Sequence, residues 1–132
     1  MTGRRRATFA GKADADLSET EWQEWVVARA TERGWEVCHH RPAMVRGRWI
    51  TNTSSPGFPD LTLLRASTGQ LVFLELKRER GSKMKPGQAE WIAGLQQVPG
   101  VEAYIVKPSD AADVLELLGP PSAPLPQPPE RV

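Results

Sequence analysis

Apolar positions along the chain switch between helical and strand periods, and the switches divide it into elements. Ser18-Glu19-Thr20-Glu21 reads as a capping box, with Ser18 covering the first free amides and Glu21 reaching back. Gly34 is placed to end the helix it opens, so a first helix is predicted over 19–33. At about 100° per residue, Glu19 shares a face with Trp22, Gln23, Val26 and Ala30, and it is the one acid on that apolar face. Trp35 to His40 reads as a short strand, followed by a loop bearing Arg41, Arg46 and Arg48. Asp60 to Arg65 and Leu71 to Lys77 are apolar runs joined by Ala66-Ser67-Thr68-Gly69-Gln70, which predicts a hairpin. Pro86 suits a helix's first turn, and Gln88, Trp91, Ile92 and Leu95 then recur at helical spacing up to Val98. Val101 to Val106 is a further strand. Ser109 is placed to cap a last helix carrying Val114, Leu115 and Leu118, with Asp110 and Asp113 in its first turn. The order αβββαβα describes an α/β sandwich with a mixed central sheet flanked by helices, and no repeat interrupts it.

Length and composition narrow this picture. The 132 residues suit one domain, and 25% charged with 39% hydrophobic residues are globular values. Residues 1–16 are basic, small and aperiodic and are expected to be flexible; 17–118 carry the domain; 119–132 are rich in proline and are expected to be a disordered tail. Seventeen basic against 16 acidic side chains leave a net charge of +1, so a nucleic-acid footprint has to come from local clustering. The lone Cys38 cannot form an internal disulfide, and no apolar run approaches the roughly 20 residues of a membrane helix. Arg4, Arg5 and Arg6 are not followed by an apolar stretch before Leu17, which argues against a signal peptide. A cytoplasmic protein without a membrane partner is expected.

The chemistry concentrates at one end of the predicted hairpin. In the strand ending at Lys77, side chains alternate, so Leu71, Phe73, Glu75 and Lys77 point one way and Val72, Leu74 and Leu76 the other. Charge at the end of a buried strand is costly unless it is paired or bound to metal. Asp60 begins the partner strand and can lie near Glu75. Two carboxylates that close repel, and a divalent cation such as magnesium, which prefers hard oxygen ligands, relieves the repulsion. Lys77 would orient or help deprotonate an attacking water, or stabilise charge on a phosphate. The bland alternative is a same-face surface pair with an ordinary turn acid after Pro59, but Gly57-Phe58-Pro59-Asp60 across a hairpin from Glu75-Leu76-Lys77 is a narrower pattern than chance Glu-x-Lys. Glu19, turned towards the sheet, is a candidate third carboxylate or else a first-turn acid favoured by the helix dipole. Gln88 could hydrogen-bond substrate or a site water, or be an ordinary surface glutamine. His39, His40 and Arg41, with Arg46 and Arg48, could contact phosphate, and Arg78, Arg80, Lys83 and Lys85 add a basic rim after Lys77. Two histidines with only the adjacent Cys38 make a poor zinc site. Trp49 and Phe58 could stack on a base, but core packing is the commoner fate of such residues.

Taken together, Glu19, Gly57-Phe58-Pro59-Asp60, Glu75-Leu76-Lys77 and Gln88 resemble the PD-(D/E)XK nuclease superfamily, and within it the small stand-alone VRR-NUC domains of bacteriophages and prophages. The similarity spans about Leu17 to Leu118 and includes Trp35, His39-His40-Arg41-Pro42 and Gln88-Ala89-Glu90-Trp91. It implies a restriction-endonuclease-like αβββαβ core in which Asp60, Glu75 and the main-chain carbonyl of Leu76 bind Mg2+ or Mn2+. It further implies that Glu19 assists, that Lys77 is the catalytic lysine and that Gln88 is the auxiliary glutamine. No organic cofactor is implied. The resemblance also implies an endonuclease on DNA, selective for branched structures such as four-way (Holliday) junctions and acting as a homodimer. One departure is that Val106-Lys107-Pro108 stands about where the group's two arginines are expected. The rival expectation is a nucleic-acid-binding module, or a recognition subunit, that keeps the fold without cutting.

Overall fold

The structure, a computed structural model, describes residues 9, 11–40, 43–50 and 56–121. Arg41 and residues 122–132 of the proline-rich stretch lie outside the described residues, as does the side chain of Trp49. The elements run α1 (Glu19–Glu32), β1 (Glu36–His39), β2 (Ala43–Val45), β3 (Arg48–Ile50), β4 (Leu61–Arg65), β5 (Gln70–Leu76), α2 (Gln88–Gln96), β6 (Val101–Val106) and α3 (Ala111–Leu118). The expected capping box opens α1: Ser18 Oγ accepts from the Glu21 amide and the Glu21 carboxylate from the Ser18 amide, each at 3.1 Å. Replacing Ser18 by Ala frees one helix-end donor and should lower stability by about 1 kcal/mol, a thermal shift of a few degrees. Melting curves of the two proteins check it.

Four strands form one sheet in the order β1-β4-β5-β6, antiparallel at the first two junctions and parallel at β5-β6. The parallel step follows from α2, which supplies the crossover that two parallel strands need. Val72, Leu74 and Leu76 of β5 pack with Leu61, Leu63, Trp22, Val26, Val114 and Leu118, beneath α1 and α3. Phe73 packs on the other side with Ile92 and Ala103, beneath α2. The sheet is therefore covered on both faces, and the buried residues of α1 are Trp22, Gln23, Val26 and Ala30, the face read from the sequence.

Three elements depart from expectation. The arginine-bearing loop contains a two-stranded hairpin, β2 with β3, that forms a sheet of its own. Ser109 does not cap α3: Pro108–Asp110 form a 3-10 turn, and the Asp110 carboxylate accepts from the Lys107 amide at 2.9 Å. Proline at the head of that turn fixes the local φ, and the turn takes up the residues that would otherwise begin the helix. The N-terminal segment, expected to be flexible to residue 16, carries a 3-10 turn at Asp14–Asp16, and Phe9 is buried against Trp22 and Trp25 at ring separations of 6.0 and 5.3 Å. A large aromatic surface buried in this way offsets the order it imposes on a short segment.

Candidate active site

Side-chain alternation in β5 puts Glu75 on the α2 face, level with Phe73, and Lys77 follows on that side just past the strand. Leu61 pairs with Leu74, so the next antiparallel step sets Asp60 opposite Glu75. One carboxylate oxygen of Asp60, Oδ2, accepts from the Leu76 amide at 2.8 Å, which fixes the acid against the end of β5. That strand end is held again by the Val106 carbonyl, which accepts both the Lys77 amide at 3.0 Å and the Trp22 indole at 3.2 Å.

Glu75 is 1% exposed and Lys77 6% exposed, so both charges are desolvated and each needs partners. Gln88, at the start of α2, supplies them. Its Nε2 donates to Glu75 Oε1 at 2.6 Å, and its Oε1 accepts from Lys77 Nζ at 2.8 Å and from the Lys85 amide at 2.7 Å. Lys77 Nζ also donates to the Lys83 carbonyl at 3.1 Å and lies 3.7 Å from Glu75 Oε1. Glu75 Oε2 is buried without a protein donor among the described residues, and a proton shared with the facing Asp60 is what would bond it. Burial, the facing Asp60 and the more remote Glu19 together push the Glu75 carboxyl up to about 8, against the opposing pull of Lys77.

A buried carboxylate oxygen without a donor, in a carboxyl that burial and a second carboxylate keep protonated at neutral pH, is what a hard divalent cation would satisfy. Asp60 and Glu75 therefore fit such an ion by the chemistry of their donors. Among the described residues no group of three or more His, Cys, Asp and Glu side chains is gathered to enclose a metal. A cation here would complete its shell from main-chain oxygen and water, as Mg2+ commonly does.

The other expected residues fall as follows. Glu19 is the first residue of α1, exposed, and acts on Glu75 through its charge. His39 Nδ1 lies 2.7 Å from Gln23 Nε2 and His40 Nε2 lies 2.9 Å from Thr62 Oγ1, so both exposed histidines are tied to neighbouring elements. Arg46, Arg48, Arg78, Arg80, Lys83 and Lys85 are exposed. Phe58 packs edge-on between His40, Phe73 and Trp91 at 4.7 to 5.8 Å, a core role as expected.

Two glycines set the position of Gln88. Gly57 and Gly87 have φ of +93° and +87°, and a Cβ on Gly57 would lie 2.8 Å from Gly87 Cα and nearer still to the Gln88 amide. Pro86 thus stands outside α2 rather than in its first turn, because Gly87 at positive φ is the N-cap and the helix begins at Gln88. The Pro86-Gly87 pair is a breaker signal in the sequence, though the close approach behind it is not visible there. Gly87→Ala should lower Tm by several degrees and displace Gln88, since a side chain there collides with the Pro56 carbonyl. Gly94→Ala, in open space within α2, should be neutral or mildly stabilising in the same assay.

Comparison with known proteins bears on the family and the fold. The family model described as VRR-NUC domain matches residues 8–109. A solved structure titled "VRR_NUC domain" superposes with a TM-score of 0.52 at 23% identity, covering 75% of this chain and 94% of its own, which is a likeness of fold. No curated protein matches. With most of its length matched by the family model, the chain belongs to the VRR-NUC domain family, a nuclease-type domain.

Proposed function

We propose that the chain is a Mg2+- or Mn2+-dependent endonuclease that hydrolyses phosphodiester bonds in DNA, with Asp60, Glu75, Lys77 and Gln88 as its working residues. The observation that carries this reading is the buried, unmatched Oε2 of Glu75 beside Asp60, next to a lysine already held by Gln88. Asp60, Glu75 and the Leu76 main-chain carbonyl would hold the cation, with Glu19 adding negative potential. The bound ion supplies Lewis-acid polarisation of the phosphoryl oxygen and acidifies a water. Lys77, kept on the Glu75 side by Gln88 Oε1 and the Lys83 carbonyl, presents its ammonium where charge develops on the phosphate. Gln88 keeps Glu75 Oε1 occupied, which leaves Oε2 as the oxygen available to the cation. Membership of the wider PD-(D/E)XK superfamily, selectivity for branched or four-way-junction DNA, a homodimer with one site per strand and a place in phage or prophage DNA processing complete the proposal, on the strength of the motif resemblance.

Incubation of the full chain with linear duplex, single-stranded, flap and four-way-junction DNA, each with Mg2+, Mn2+ or EDTA, tests it. Metal-dependent cutting, fastest on a branched substrate, is expected. Binding to all four without cutting under any metal condition would transfer support to the non-catalytic reading. Among the described residues no helix is long and apolar enough to cross a membrane.

A further inference from the structure

We infer that the β2–β3 hairpin is a duplex-gripping finger whose tip arginines, Arg46 and Arg48, enter a groove of double-stranded nucleic acid beside the candidate active site. This rests on the nuclease reading and deepens it, by naming the form of substrate the chain grips and the element that grips it. Ala43 pairs with Ile50, Met44 with Trp49 and Val45 with Arg48, leaving Arg46 and Gly47 as a two-residue turn. Both turn residues have positive φ, +50° and +76°. That is the type I′ pattern, whose first position favours Asn, Asp or Gly because other side chains are strained there. Arg46 is the one non-glycine residue at positive φ among those described. A turn chosen for stability alone would carry Asn-Gly. Here a long cation takes the strained position, and Arg46, Gly47 and Arg48 are all exposed. An outlier of that kind points to use of the side chain rather than of the turn.

The chain connectivity sets where such a tip can act. The hairpin is inserted between His40, whose amide donates to the Asp60 carbonyl at 2.8 Å, and the Pro56-Gly57 approach to α2. Arg46 stands six positions after His40, so the tip lies at most about 21 Å from His40 even if fully extended. That is less than one helical turn of duplex, about 34 Å, so a duplex cut at Asp60 and Glu75 passes within reach of the tip. A two-stranded ribbon is one of the two protein elements that a major groove of about 12 Å admits. Among the described residues the hairpin pairs with no other strand, so nothing in the four-stranded sheet would have to open for it to enter. Arginine at the tip suits phosphates and the guanine edge alike through bidentate donation.

Arg46→Asn is a discriminating variant, since asparagine is at ease at positive φ and the turn is kept. Binding of a short duplex to the full chain is followed by fluorescence anisotropy across a salt series with Ca2+ in place of Mg2+. Arg46→Asn should weaken binding on the order of 5- to 10-fold and make the log–log salt slope shallower by about 0.9, with Arg46→Asn/Arg48→Thr shallower by about 1.8. Its Tm should stay level or rise, and Arg46→Lys should keep the slope. A purely structural arginine would give the reverse, a lowered Tm with unchanged affinity. Wild-type affinity and slope in the double variant would overturn the inference while metal-dependent cutting by wild type leaves the nuclease reading standing. Weakening confined to single strands would also overturn it. A wild type that binds duplex without cutting overturns the nuclease reading, and the hairpin is then judged on binding alone; a wild type that does neither overturns both.

Discussion

Glu75→Gln should make the metal-free protein more stable at pH 8 while removing cleavage. Burial and Asp60 push the Glu75 carboxyl up to about 8 from its ordinary 4.5. The folded state thus binds this proton more tightly than the unfolded chain. The resulting contribution to stability is fully present below pH 4.5 and is lost as pH rises from 4.5 through about 8. Wild type without metal should therefore lose stability across that window, whereas the amide, which never ionises, should not. Gln at this position can still accept from Gln88 Nε2, and its NH2 can face the Asp60 carboxylate. The difference between the two melting curves isolates the group from other titrations. At pH 8 in EDTA the variant should melt roughly 5–10 °C above wild type, and at pH 4.5 the two should converge. Added Mn2+ should raise wild-type Tm by replacing the proton and should leave the variant little changed. Turnover should fall by a factor of about 1,000 or more, the cost of removing one proposed cation ligand. A site less stable than the fold would tolerate is a familiar mark of function.

Lys77→Met should be the second large effect, and it should separate from the first by its pH dependence. The ammonium is 6% exposed and donates to Gln88 Oε1 and the Lys83 carbonyl. Methionine fills similar volume but offers no donor, so Gln88 Oε1 keeps only the Lys85 amide. Cleavage should fall by a factor of about 100 to 10,000, within the range for loss of a positioned acid or charge stabiliser. Lys77 also holds the Glu75 proton affinity down. Its removal should shift the pH at which Mn2+ competes with the Glu75 proton upward, read as a higher midpoint in metal affinity against pH. Lys77→Arg should not rescue, because a planar guanidinium cannot occupy the pocket of a compact ammonium. A variant with wild-type rate and an unmoved midpoint would remove Lys77 from the account.

Much of this arrangement was readable from local pattern. The capping box of α1 and its buried face follow from a four-residue motif and one period, and both depend only on neighbours in sequence. The same holds for Glu75 and Lys77: period-two alternation put them with Phe73, and the hairpin brought Asp60 opposite Glu75. What stayed hidden depends on distant partners. Gly87 is explained by Pro56, thirty-one positions earlier. The Lys83 carbonyl and the Lys85 amide bind through the main chain, which carries no sequence signal. The β2–β3 hairpin has three-residue strands and an Arg-Gly turn, too short and too unlike Asn-Gly to read as a hairpin. Phe9 is a single aromatic in a basic stretch, with no period to mark it as core.

We place the cation-dependent centre of the proposed nuclease at Asp60 and Glu75. Single-turnover cleavage of DNA in Mn2+ by wild type and Asp60→Ala addresses it most directly, with circular dichroism to establish that both are folded. Wild type should cut in Mn2+ and be silent in EDTA, and the folded variant should be slower by a factor of about 1,000 or more. Cleavage by Asp60→Ala at the wild-type rate would contradict the assignment.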